Sequence, residues 1–127
     1  MNTTEIGRYG EKLAARFLRK NGFKILETNK HQSHNELDII AANKEWLLFV
    51  EVKTRSVSSD LYCAYGSPAS AVDHRKQART VRAAQDYLLT HTTKGKQPRM
   101  DVIEVYLDKN TGKLLKINHI PNAFGVR

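Results

Sequence analysis

Apolar residues recur every three or four positions near the N-terminus. Ile6, Tyr9, Leu13 and Phe17 share one side of a helix predicted from about Thr4 to Asn21. Gly22 suits its end, because glycine accepts the left-handed conformation of a helix terminus. The period then changes. Residues 23–28 read as a strand, and two stronger strands at about 36–42 and 45–53 flank a short turn at Asn43-Lys44. Residues 54–69, with Ser, Gly and Pro, read as a loop. Asp73 suits the N-cap of a second helix running to about Thr90. After a polar connection from His91 to Pro98, strands are predicted at 100–107 and 114–119, with a tail from Pro121. This order describes an α/β fold with a mixed central sheet flanked by helices. The second and third strands form a hairpin, and the strand after the second helix is free to run parallel to its neighbour.

Length and composition narrow this picture. The 127 residues fit one domain spanning 1–127, and 40% hydrophobic content argues against disorder. The longest apolar run, Trp46 to Val50, is far shorter than the ~20 residues of a membrane-spanning helix. Residues 1–5 lack the basic and apolar regions of a secretory signal, and Cys63 is the single cysteine. A cytoplasmic protein without a membrane partner is expected. The formal charge is +8, distributed as +2 over residues 1–53, +5 over 54–99 and +1 over 100–127. A polyanionic partner is one explanation; a soluble basic surface is the other.

The hairpin carries the sharpest chemistry. With a turn centred on Asn43-Lys44, Ile40 faces Leu47, Asp38 faces Phe49 and Glu36 faces Glu51. Asp38 is then the diagonal neighbour of Glu51, close enough for both carboxylates to reach one cation. Glu51 follows apolar residues on a strand that reads as buried, where a charge needs a partner or a metal. Lys53 offsets one negative charge, and a hard divalent cation such as Mg2+ would offset more. A surface ion-pair ladder at a frayed hairpin end is the alternative. Glu11 lies on a helical stripe with Ala14 and Ala15, neither of which offers it a positive partner.

The second helix projects Ala78, Val81, Ala84 and Leu88 to one side and Arg75, Lys76, Arg79 and Arg82 to the other. Such a cationic ridge can hold phosphates, and its opposite face lacks the bulky apolar residues of a membrane-surface helix. A solvated basic face is the alternative. His31, His34, His74, His91 and His119 show no metal-ligand spacing, and His119 reads as structural. There is no Walker loop.

Taken together, Gly10-Glu11, Asn35 to Ile40, Phe49 to Arg55, Tyr65 to Pro68, Arg75-Lys76, Asp101 to Val105 and His119 to Phe124 resemble the small bacterial YraN-like family, an uncharacterised family. The family usually has Gly before its Glu-Ile-Asp motif, where this chain has Asn35. Asn is the non-Gly residue that best tolerates positive φ and is expected to keep the turn. Asp38, Glu51 and Lys53 also resemble the Asp…Glu-x-Lys core of the restriction-endonuclease-like superfamily. The layout is similar to archaeal Holliday junction resolvases, which place a helix-1 glutamate before that core.

That resemblance implies a restriction-endonuclease-like fold and divalent-metal-dependent phosphodiester hydrolysis on structured DNA. Asp38, Glu51 and the Val52 carbonyl would hold Mg2+ or Mn2+, with Glu11 completing or supporting the site. Lys53 would orient a water or stabilise developing charge. Glu36 would brace the ligands from outside or point toward the sheet. Arg55, Arg75, Lys76, Arg79 and Arg82 would contact the nucleic-acid backbone. A homodimer is an option by the same analogy. The alternative is a non-catalytic nucleic-acid-binding module on the same fold.

Overall fold

The computed structural model describes residues 1–32, 35–58 and 74–124. Helix α1 spans Thr3–Lys20 and begins in a reciprocal cap. The Asn2 side chain accepts the Glu5 N–H at 2.9 Å, and the Glu5 carboxylate accepts the Asn2 N–H at 3.1 Å. It ends as expected, at Gly22 with φ +88°, and the Phe23 N–H reaches back 3.0 Å to the Leu18 carbonyl.

Strands β1 (Lys24–Gln32), β2 (Asn35–Ala42) and β3 (Trp46–Val57) follow, then helix α2 (His74–Thr90) and strands β4 (Gln97–Asp108) and β5 (Leu114–Phe124). The sheet order is β1-β2-β3-β4-β5. Among the described strands only β3 and β4 run parallel, with α2 lying between them in the chain, as the crossover argument anticipates. The expected α/β class and mixed sheet are therefore present.

Four expectations about the strands need correction. Residues 54–57 are not loop: β3 stays in register with β4 from Trp46 opposite Gln97 to Val57 opposite Asp108. Pro121 does not start a tail, because β5 is an edge strand and loses no ladder bond to a proline facing outward. Asn35 does not use a left-handed φ; it pairs with Gln32 at the start of β2. The hairpin register differs by two residues, with Ile40 opposite Phe49 and Ala42 opposite Leu47. Its cause is Asn43, whose side chain accepts the Glu45 and Trp46 N–H groups at 2.9 and 2.8 Å and stabilises a longer turn. The loop centre, Cys63 and the Asp73 cap lie outside the described residues.

The two helices cover opposite faces of the sheet. Leu48, Val50, Ile103 and Val105 pack with Leu13, Ala14 and Leu18 of α1, whereas Ile40, Leu47, Phe49 and Met100 pack with Ala83, Ala84 and Tyr87 of α2. Gly10 brings α1 close: a Cβ there would overlap Thr54 Oγ1 and stand 2.8 Å from its Cγ2. The next residue, Glu11, is thereby held beside the sheet.

The buried stripe of α2 is Thr80, Ala83, Ala84 and Tyr87, turned by roughly 100° from the Ala78–Val81–Leu88 side, and Ala78 is exposed. Two polar-looking residues mislead the pattern. Thr80 satisfies its hydroxyl on the Lys76 carbonyl at 2.9 Å, and Tyr87 packs edge-on against Phe49 with centroids 5.7 Å apart. Among the described residues, no helix is long and apolar enough to cross a membrane.

Candidate functional site

Side chains alternate along β3, so Glu51 and Lys53 share the α2 face with Phe49, while Val52 and Thr54 face α1. The paired part of the β2–β3 ladder stops at Ile39 and Val50. Beyond that point Asp38 replaces the backbone partner: its Oδ2 accepts the Val52 N–H at 2.9 Å. Extending the register of the ladder by one residue would set Asp38 opposite Glu51 instead of diagonal to it.

Glu51 is only 4% exposed. The Lys76 ammonium stands 2.9 Å from its Oε1, yet that oxygen accepts no well-aligned hydrogen bond among the described residues. Lys76 is therefore not part of an outward ridge. The rotation of α2 puts it one turn before Thr80 on the sheet-facing side, where it supplies the positive charge nearest Glu51.

Asp38 is short of such compensation. Burial pushes its pKa up to about 6; the Val52 N–H opposes the rise, nearby Glu11 and Glu51 add to it, and Lys76 relieves it. Glu11 is also raised, first by burial and then by Glu36, against a hydrogen bond from the Asn29 side chain and attraction from Arg8. Arg8, one turn earlier, is thus the positive neighbour that the C-terminal stripe of α1 does not provide. Asp38 stands electrostatically between two groups, Glu11 with Glu36 and Glu51 with Lys76.

The expected residues distribute over adjoining clefts. Glu51, Val52, Lys53 and Arg55 line one cleft with Thr54, Lys76 and Gln77. Glu36, Asp38, Lys76 and Arg79 line the next, with Asn35 and Thr80. Glu11 lines a separate groove beside Thr28 and Asn29. Arg75 and Arg82 are exposed on α2 outside the first two clefts. Lys53 is half-buried and sits opposite Glu104 in the β3–β4 register.

The donor chemistry fits a small hard cation in part. Asp38 and Glu51 supply carboxylate oxygens at a point with surplus negative charge, and one Glu51 oxygen is buried without an aligned donor. Among the described residues, no three His, Cys, Asp or Glu side chains converge tightly enough to enclose an ion. Mg2+ commonly takes only one or two carboxylates and keeps water or phosphate oxygens at its other positions, so an open two-carboxylate site suits it.

A second buried acidic centre lies on β4. Asp101, fully buried on the α1 face of β4, receives Arg99 through two bonds of 2.8 and 2.9 Å, His119 Nε2 at 2.7 Å and the Asn122 N–H at 3.0 Å. Burial alone would raise its pKa, but these donors outweigh burial and hold it below the ordinary value. His119 also meets Phe17 edge-on at 6.0 Å. The signal that picks out Glu51, an acid inside an apolar strand, also marks Asp101 and Glu104. Glu104, fully buried, receives the Asn118 amide at 2.7 Å.

The pattern described as "Uncharacterised protein family UPF0102" matches residues 10–105, from Gly10 at the helix–sheet contact to Val105 in β4. A UPF0102 protein of Caldanaerobacter subterraneus is 45% identical over 124 residues, covering 98% of each chain. One of Syntrophotalea carbinolica is 44% identical over 95% of this chain and 92% of its own. One of Dictyoglomus thermophilum is 42% identical over 98% of this chain and all of its own. With family and relatives matched along nearly its whole length, the chain belongs to the YraN-like family, UPF0102.

Proposed function

We propose that the protein is a nuclease-like, nucleic-acid-binding protein that hydrolyses phosphodiesters on structured DNA with a divalent metal ion. One observation carries this reading: Asp38 and buried Glu51 meet where β2 and β3 part, and their charge is only partly compensated, by the Val52 N–H and Lys76. A helix–three-strand–helix–strand order with β4 parallel to β3 is also what a restriction-endonuclease-like fold requires, and it supports that assignment.

Asp38, Glu51 and the Val52 carbonyl would hold Mg2+ or Mn2+, with Glu11 supporting from the α1 side. When bound, the ion supplies Lewis acidity toward a phosphodiester oxygen and lowers the pKa of a water. Lys53 shares the Glu51 face and is placed to steady negative charge developing on phosphate. Glu36 maintains negative potential beside Glu11. Arg55, Lys76 and Arg79 line the clefts and hold the backbone at the carboxylates, with Arg75 and Arg82 extending the contact along α2.

Purified protein with Mg2+ or Mn2+ is expected to cleave labelled duplex, nicked or four-way-junction DNA. The Asp38→Ala, Glu51→Ala double variant is expected to be inactive. Activity on none of these substrates above that variant would remove the enzymatic claim. A second reading, a non-catalytic nucleic-acid-binding module, is favoured by Lys76 standing in a cation's place at Glu51. It requires salt-sensitive binding that neither chelator nor Lys53→Ala alters.

A further inference from the structure

The carboxylates have a basic flank on α2, and the opposite face of the sheet carries another. Arg8, Lys12, Arg16 and Arg19 occupy positions i, i+4, i+8 and i+11 of α1 and are all exposed. At about 100° per residue they remain within roughly 80° of one another and extend about 16 Å along the helix. The four cations line one groove against Thr28 and Asn29 of β1. Lys12, Arg16 and Arg19 form no ion pair among the described residues, whereas Arg8 is drawn toward Glu11. The modest +2 charge of residues 1–53 conceals this stripe, because the acids offsetting it lie largely on other elements.

The shape and chemistry of the groove select its occupant. A line of four cations matches an extended run of phosphates better than one compact anion, and three of the four are Arg, which can fork onto phosphate oxygens. Its floor is the small, buried Ala15 and its β1 wall is Thr28 and Asn29, with no bulky apolar side chain to enter a bilayer. Glu11 lies in the same groove and is coupled electrostatically to Glu36 and Asp38. A backbone lying along α1 would therefore lead to the carboxylates from the side opposite α2.

We propose that the α1–β1 groove is a second nucleic-acid backbone track, so that DNA contacts basic surfaces on both faces of the sheet with the carboxylates between them. The inference rests on the nucleic-acid-binding reading above but concerns a different surface.

The test is the salt dependence of binding to a labelled DNA duplex, measured by fluorescence anisotropy. Lys12→Gln with Arg16→Gln and Arg19→Gln is expected to reduce the slope of log K against log salt by up to about 3, near 0.9 for each phosphate no longer neutralised. Arg16→Gln alone is expected to reduce it by about 1 and serves if the triple variant melts early. Arg79→Gln with Arg82→Gln should lower the slope separately and additively. A wild-type slope in the α1 variants, with the α2 variant weakened, overturns this inference and leaves the nucleic-acid reading intact. Absence of wild-type binding overturns both. Capture by phosphatidylserine vesicles, with an unchanged DNA slope in the α1 variants, assigns the groove to membrane and also overturns the proposal.

Discussion

Asp38, half-buried, and Asp101, fully buried, are aspartates on one sheet with opposite electrostatic fates. Asp101 has Arg99, His119 and the Asn122 N–H around it, and its pKa falls. Asp38 has one backbone N–H, carboxylates on two sides and Lys76 at a remove, and its pKa rises to about 6. Burial penalises both charges, so the difference lies in the donors. A satisfied carboxylate holds β4 to β5, whereas an under-compensated one remains available to an incoming cation.

The largest expected effect comes from breaking the satisfied side. Asp101→Ala leaves Arg99 and His119 without their shared acceptor and should cost about 3–5 kcal/mol in urea unfolding. Asp38→Asn should do the reverse at pH 7.5, stabilising the protein by up to about 3 kcal/mol, as follows from a pKa raised from 3.8 to about 6. Equal destabilisation by both substitutions would erase the distinction between the two aspartates.

Next in size is the contact that holds Glu11 beside the sheet. Gly10→Ala should cost about 1–3 kcal/mol through its collision with Thr54, and adding Thr54→Ala should recover part of the loss by removing both the overlapping hydroxyl and the methyl group. Additive losses in the double variant would show that the two residues do not share this contact.

The pH dependence separates the two regions more gently. Asp101 has a depressed folded pKa, so its stabilisation is present above the ordinary aspartate range and disappears as pH falls below about 4. Asp38 has a raised folded pKa, so its contribution is fully present below about 4 and is lost as pH rises through about 6. In urea titrations across this range, Asp101→Asn should flatten the acid limb and Asp38→Asn the loss between pH 4 and 7. Unchanged limbs in these variants would contradict the assignments.

The smallest effect concerns the resident cation. Lys76 is 54% exposed, so Lys76→Met should cost only about 1 kcal/mol by melting, with added Mg2+ recovering more stability in the variant than in wild type. Equal Mg2+ responses would mean that Lys76 and the metal do not compete for Glu51.

The same contrasts explain which features are legible in the sequence. The α1 period, the Gly22 stop, the hairpin and the parallel strand after α2 follow local patterns that tertiary packing reinforces. The hairpin register does not, because it depends on the Asn43 side chain capping a longer turn. The buried face of α2 is hidden by Thr80 and Tyr87, whose polar groups conceal their packing role. Lys76 consequently reads as outward-facing when the helix is projected alone. Asp101 and His119 lie 18 residues apart, and no local period announces their meeting across β4 and β5. Asp38 and Glu51 are more legible because both belong to one hairpin and interrupt its apolar pattern.

Whether Asp38 and Glu51 hold a metal ion is decided by calorimetric titration of Mg2+ and Mn2+ at pH 7.5 into wild type and the Asp38→Asn, Glu51→Gln double variant. A saturable site is expected in wild type that the double variant loses while remaining folded. Undetectable binding in wild type, or the same isotherm in both proteins, would contradict this expectation.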